Sequence, residues 1–133
     1  MAKIFLDTNI VIDYIERTRP NHDKAVRILE MIAVKGWNIC ISEDMLTTIY
    51  YIARSKEKVL RFFQAIEEEW EILCFDGKVR KEAYKKALES GEDFEDLIQC
   101  LSALHHGCDY FLTSDRSFQN CGIEIVTYED ILE

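Results

Sequence analysis

"KIFLDTNIVIDYI" (Lys3–Ile15) carries an apolar strand straight into a carboxylate, two small polar residues and a second apolar segment of helical spacing. Apolar strands commonly end in glycine, proline or a loop; this one ends on Asp7. The same alternation recurs along the chain. "NICIS" (38–42), "EILCF" (71–75), "DYFLT" (109–113) and "IEIVT" (123–127) read as further strands. Between them lie helical patterns. Ala25, Ile28, Leu29 and Ile32 share one face of a segment that Gly36 stops and Pro20 separates from the first helix. Ser42 is placed to cap "EDMLTTIYYIARS", Lys58–Trp70 continues as helix, and Ser90–Gly91 end "GKVRKEAYKKALES". "DFEDLIQCLSALHHG" precedes the fourth strand, and "YEDILE" closes the chain. Short strands that are apolar on both faces and alternate with helices imply a parallel sheet covered on both sides. The expectation is a single α/β domain over residues 1–133, three layers deep, with a central parallel sheet of about five strands.

Composition narrows the function classes. A chain of 133 residues, 48% hydrophobic, is one domain by size and can bury a core. No apolar run approaches the ~20 residues of a membrane span and no leader pattern opens the chain, so a cytoplasmic protein without a membrane partner is expected. The five cysteines (40, 74, 100, 108, 121) are odd in number and form no C-x-x-C pair. They read as reduced thiols packed as small hydrophobes. His22, His105 and His106 lack metal-ligand spacing, and the last two suit a helix C-terminus. A net charge of −9 argues against nonspecific coating of nucleic acid but leaves a nuclease open. Two basic groups, Arg17, Arg19, Lys24 and Arg27, then Arg54, Lys56, Lys58 and Arg61, are solvated helix surface or a phosphate-steering patch.

The carboxylates carry the chemistry. In an open parallel sheet, ligands bind beyond the carboxyl ends of the strands. Asp7 follows the first strand and Asp115 lies just beyond the fourth; each, alone, is equally a helix N-cap. In "EDFEDLIQCLSALHH", Phe94, Leu97, Ile98, Leu101 and Leu104 form the expected core stripe, widened by Cys100 and Ala103. Asp93 and Asp96 fall on that side, whereas Glu92, Glu95, Gln99, Ser102 and His106 take the expected wet face. Two carboxylates about 4 Å apart repel by about 4 kcal/mol at an effective dielectric of 20, so a crowd of them requires a cation. Oxygen ligands without histidine or thiolate favour Mg²⁺ or Mn²⁺ over zinc, and such ions commonly act on phosphate esters.

"IFLDTNIVIDYI", "DFEDLIQCLSALHHGCDYFLTSDRSF" and the α/β order between them resemble a PIN (PilT N-terminal) domain over essentially the whole chain. That family includes VapC-type toxins of toxin–antitoxin pairs. The resemblance implies a parallel sheet between helices and metal-dependent cleavage of RNA phosphodiesters. Carried over by position, the implied metal ligands and catalytic acids are Asp7 in "LDTN", Asp96 in "EDLIQ" and Asp115 in "TSD", with Asp93 as a supporting acid. Asn9, Thr113 and Ser114 match small polar positions that brace the site, and Arg116 stands where it meets a substrate phosphate or solvent. One position departs. The family usually has a glutamate six residues past the serine after the second strand; here that position is Thr48, as in a subgroup lacking the second acid. Glu43 and Asp44 lie in the first helical turn, where capping is the simpler role; Glu43 is the alternative acid.

The resemblance further implies an RNA substrate and, for a toxin, an antitoxin that wraps a groove and blocks the metal site. The apolar stretches "TTIYYIA" and "VLRFFQAI" are either core packing or exposed surface for the expected homodimer. Against the ribonuclease stands a second reading, a PIN-fold binding module that has lost its chemistry with the glutamate. An aspartate after a strand also opens dehalogenase-like phosphatases and receiver domains. Those require an acid where Asn9 stands, or an acidic pair with a lysine after a late strand.

Overall fold

The computed structural model describes residues 1–115 and 121–132. Five strands run parallel: β1 (Lys3–Leu6), β2 (Asn38–Ser42), β3 (Glu71–Leu73), β4 (Tyr110–Leu112) and β5 (Glu124–Val126), in the order β3-β2-β1-β4-β5. The helices between them are α1 (Thr8–Ile15), α2 (His22–Lys35), α3 (Asp44–Ile52), α4 (Lys56–Glu67), α5 (Gly77–Ser90), α6 (Phe94–His105) and α7 (Tyr128–Leu132). Right-handed crossovers place α1–α4 on one face, because β1, β2 and β3 succeed one another in one direction. The connection from β3 to β4 runs back across the sheet, which puts α5 and α6 on the other face and gives the three-layer α/β fold. The order in which strands are added reverses between β1 and β4, and there the carboxyl edge of the sheet opens a crevice.

The sheet is held by residues that are apolar on both sides. Ile4, Phe5 and Leu6 are wholly buried, each worth about 1.5–3 kcal/mol of transfer free energy. Phe5 pairs in register with Phe111, their rings stacked at 4.9 Å between centroids. Gly36 ends α2 and Gly91 ends α5, both in the left-handed region (φ 72° and 75°) where a side chain would be strained. Buried Asp13 accepts from Arg19 Nε (2.9 Å) and from the Tyr128 hydroxyl (2.8 Å), which ties α7 to α1.

Several local expectations change. Ser42 does not cap α3: Glu43 holds the cap position without a side-chain cap bond, and the Ser42 hydroxyl donates to Asp44 instead. Helix α4 begins at Lys56 because Ser55 caps it through Lys58 N–H (3.3 Å). The faces of α6 differ most. Gln99 and Ser102, expected in water, are 1% and 0% exposed, whereas Phe94 and Leu104, expected in the core, are 43% and 38% exposed. Helix α6 lies between the sheet and α5, so its middle is covered all round and a one-sided stripe does not describe it.

The cysteine expectation is also corrected. Cys100 on α6 and Cys121 ahead of β5 form a disulfide, while Cys40, Cys74 and Cys108 remain thiols. Parity and spacing along the chain carry no information on which two sulfurs meet in space. The bond spans 21 residues, and closing such a loop in the unfolded chain is worth about 3 kcal/mol. Cys121→Ser should therefore lower stability in urea titrations by about 2–4 kcal/mol without reductant and by far less with a dithiol present. Equal loss under both conditions would show that the thiols pack without bonding.

Candidate active site

Register decides what meets at the switch point. Leu6 pairs with Leu112, so the next residues, Asp7 and Thr113, stand side by side as β1 and β4 end. Asp7 N–H donates to Leu112 C=O (2.9 Å) and Thr113 N–H to Val126 C=O (3.0 Å), which fixes both backbones. The Thr113 hydroxyl donates to Asp7 Oδ2 (2.8 Å), and Thr8 N–H donates to Asp7 Oδ1 (2.7 Å). Asp7 thus caps α1 through Oδ1 and is tied to the end of β4 through Oδ2. Asp115 N–H returns to the Thr113 hydroxyl (3.1 Å), which bends the chain after β4 back toward Asp7.

Helix α6 brings in the next acids. Asp93 is its N-cap, exposed, with Oδ2 accepting Asp96 N–H (3.0 Å). Asp96, in the first turn, is half-buried. Burial pushes its carboxyl up first, and the charges of Asp93, Asp7, Asp115 and Glu95 add to this, to about 6. Asp7 is also raised, by burial above all and then by Asp115 and Asp44, against the downward pull of the Thr113 and Thr8 hydrogen bonds. The carboxylates of three distant segments therefore act on one another across one crevice.

The remaining candidates sit as follows. Asn9 and Ser114 are exposed beside Asp7 and Asp115, and Thr113 is wholly buried. Thr48 is exposed on α3. Glu43 turns toward β3, where its Oε2 accepts from the Cys74 thiol (2.7 Å). Arg116 lies outside the described residues. Three residues absent from the sequence candidates adjoin the crevice. Asp44 Oδ2 accepts from Gln99 Nε2 (3.1 Å), and the same nitrogen reaches the Thr8 hydroxyl (3.4 Å). Glu95, at the rim, is raised by burial and by Asp44, Asp93 and Asp7. Asp44 looked like a first-turn cap and Gln99 like a wet-face residue; neither feature distinguishes them in one dimension.

Among the described residues, no three of these carboxylates have closed to the spacing of a ready chelate. Asp7 and Asp93 are held by local donors instead. The donor set is nonetheless one of hard oxygens, in which burial first and neighbouring charges second raise the proton affinity of Asp7, Asp96 and Glu95, and it fits a hard divalent cation better than zinc.

A parallel three-layer fold with carboxylates at the β1/β4 crevice defines the PIN class, and the PIN domain family model matches residues 4–124; the chain belongs to that family. It is 30% identical to Ribonuclease VapC1 of Aquifex aeolicus over 136 positions, 98% of this chain and 94% of the relative. VapBC2 of Rickettsia felis, solved bound to a DNA fragment from its promoter, superposes with a TM-score of 0.72 at 21% identity, covering 94% of this chain and 98% of that one. VapC20 of Mycobacterium tuberculosis, a sarcin–ricin loop cleaving toxin, superposes at 0.71 and 16% identity, covering 90% and 95%. Among the described residues no helix is long and apolar enough to cross a membrane.

The raised Asp96 carboxyl has a stability consequence. Its folded pKa lies above the ordinary 3.8, so folded protein holds this proton more tightly than unfolded. Its ionisation therefore weakens the fold as pH rises from 3.8 to about 6. In chelator, Asp96→Asn should be more stable than wild type at pH 7 by about 1 kcal/mol, allowing for solvent screening. The gain should vanish below pH 3.8 in urea melts. A variant equally or less stable at pH 7 would contradict the crowding.

Proposed function

We propose that this protein is a Mg²⁺- or Mn²⁺-dependent endoribonuclease of the VapC kind, the toxin of a toxin–antitoxin pair. One observation supports it: the register that sets Asp7 beside Thr113 also brings Asp115 near Asp7, and the charges of both push up the Asp96 carboxyl on α6. Family membership and the ribonuclease relative support the same reading.

In this proposal Asp7, Asp96 and Asp115 hold the ion, with Asp93 supporting Asp96 through its backbone N–H. A divalent cation there supplies water activation and neutralises charge that develops on the phosphate. The chain's own part is orientation. Thr113 and Thr8 fix the two oxygens of Asp7, so that carboxylate enters the site with its direction set. Thr113 also fixes the backbone of Asp115, which makes one hydroxyl the joint between two ligands. The RNA, the antitoxin and a homodimer are the proposed partners. For the antitoxin, a groove of about 580 Å³ between α1, α2 and α4 offers Ile15, Val26 and Phe62 flanked by Arg17, Arg54 and Lys58. That surface suits an apolar segment with acidic flanks. None of its lining residues belongs to the carboxylate crevice.

Asp7→Asn and Asp115→Asn should each reduce RNA cleavage in Mn²⁺ by more than about 100-fold, since groups one step behind a ligand are already worth 10–100-fold. Thr113→Val should cost about 10–100-fold on that basis. Gel assays on purified protein measure this, and an Asp7→Asn protein that cuts RNA as wild type does would overturn the assignment.

A further inference from the structure

We propose that Asp44 is a further acid of this site and that Gln99 is the residue that positions it; the proposal rests on the cation-binding reading above. The family pattern expects an acid where Thr48 stands, and Thr48 is exposed on α3. Asp44 lies one helical turn earlier and is half-buried.

Its bonds distinguish it from a helix cap. A capping carboxylate accepts from backbone N–H groups of its own first turn. Both oxygens of Asp44 accept from side chains of other segments instead: Oδ1 from the wholly buried Ser42 hydroxyl, Oδ2 from Gln99 Nε2 at 3.1 Å. Glu43 occupies the cap position and makes no side-chain cap bond either, so nothing in this turn is spent on capping.

Gln99 supplies the independent sign of a ligand. Its side chain is 1% exposed on α6, where an amide costs free energy for every polar atom left unpaired. The nitrogen bridges Asp44 Oδ2 and the Thr8 hydroxyl, and Thr8 in turn donates its N–H to Asp7. Amide orientation follows from this, because the reverse would set the amide oxygen against a carboxylate. The oxygen, Oε1, has no partner among the described residues. A buried acceptor with no donor, on the same amide that grips a crevice carboxylate, is suited to a cation-bound water or to the cation. A line of hydrogen bonds then runs from Asp115 through Thr113, Asp7, Thr8 and Gln99 to Asp44 and Ser42, across the ends of β4, β1 and β2. The charge of Asp44 also acts through space on Asp7 and Glu95.

The test is Mn²⁺ binding, read from the loss of the free-ion electron paramagnetic signal, on full-length wild type, Asp44→Asn, Gln99→Ala, Gln99→Met, Asp7→Asn and the Asp44→Asn/Gln99→Ala pair. The expected result is at least about tenfold weaker binding for Asp44→Asn, Gln99→Ala and Gln99→Met. The double variant should bind more weakly than either single variant but by less than the product of the two losses, because Gln99 holds Asp44 as well as offering Oε1. Gln99→Met fills the buried space if the alanine variant fails to fold. If Asp44→Asn binds Mn²⁺ as wild type does while Asp7→Asn does not, this proposal fails and the metal-site reading stands. If Asp7→Asn also binds normally, that reading fails and takes this one with it. Additive losses in the double variant would make Gln99 a packing residue and overturn its role.

Discussion

Holding like charges together at the end of a parallel sheet is the constraint on which the rest of the molecule depends. Asp7 is buried, and carboxylates near it push its proton affinity up further. What keeps it directed at the crevice is a pair of donors fixed by the backbone: Thr8 N–H at the start of α1 and the Thr113 hydroxyl at the end of β4. Both depend on the β1–β4 register, since a one-residue slip would turn Thr113 to the opposite face. The apolar pairing of Phe5 with Phe111 secures that register two residues away. Core packing and site geometry are here one problem. The strand ends on an aspartate that caps α1 and, in the proposed reading, also serves as a site carboxylate.

The parts of the fold written in short-range patterns were legible in the sequence. Strands show as short runs apolar on both faces, and helices stop where Gly36 and Gly91 stop them. Asp7, Asp96 and Asp115 stand out in the sequence as acids that follow apolar strands or sit on the apolar side of a helix. Contacts between distant segments were not legible. Helix α6 is covered by the sheet on one side and α5 on the other, so Gln99 and Ser102 are buried although periodicity sends them to water. Cys100 and Cys121 meet only once α6 and the approach to β5 are packed. Asp44 sits in a first helical turn, where an acid suits the dipole regardless of function. Only its bonds to Ser42 and Gln99 separate it from that ordinary role.

The departure at Thr48 bears on how a fold of this kind keeps or loses its chemistry. Folds host many activities, and the likeness to solved toxins at 16–21% identity concerns the backbone alone. Thr48 stands exposed on α3, and the half-buried Asp44 one turn earlier is bonded to Ser42 and Gln99 instead. The disulfide belongs to the same region: it fastens the approach to β5 to the helix that carries Asp96.

Convergence of three chain-distant carboxylates on a single divalent ion is the central claim. Anomalous diffraction from crystals soaked in Mn²⁺ tests it most directly. A peak bonded to oxygens of Asp7, Asp96 and Asp115, beyond the ends of β1 and β4, is the predicted result. Mn²⁺ bound elsewhere, with these side chains apart and each satisfied by its own helix end or a cationic neighbour, would contradict it.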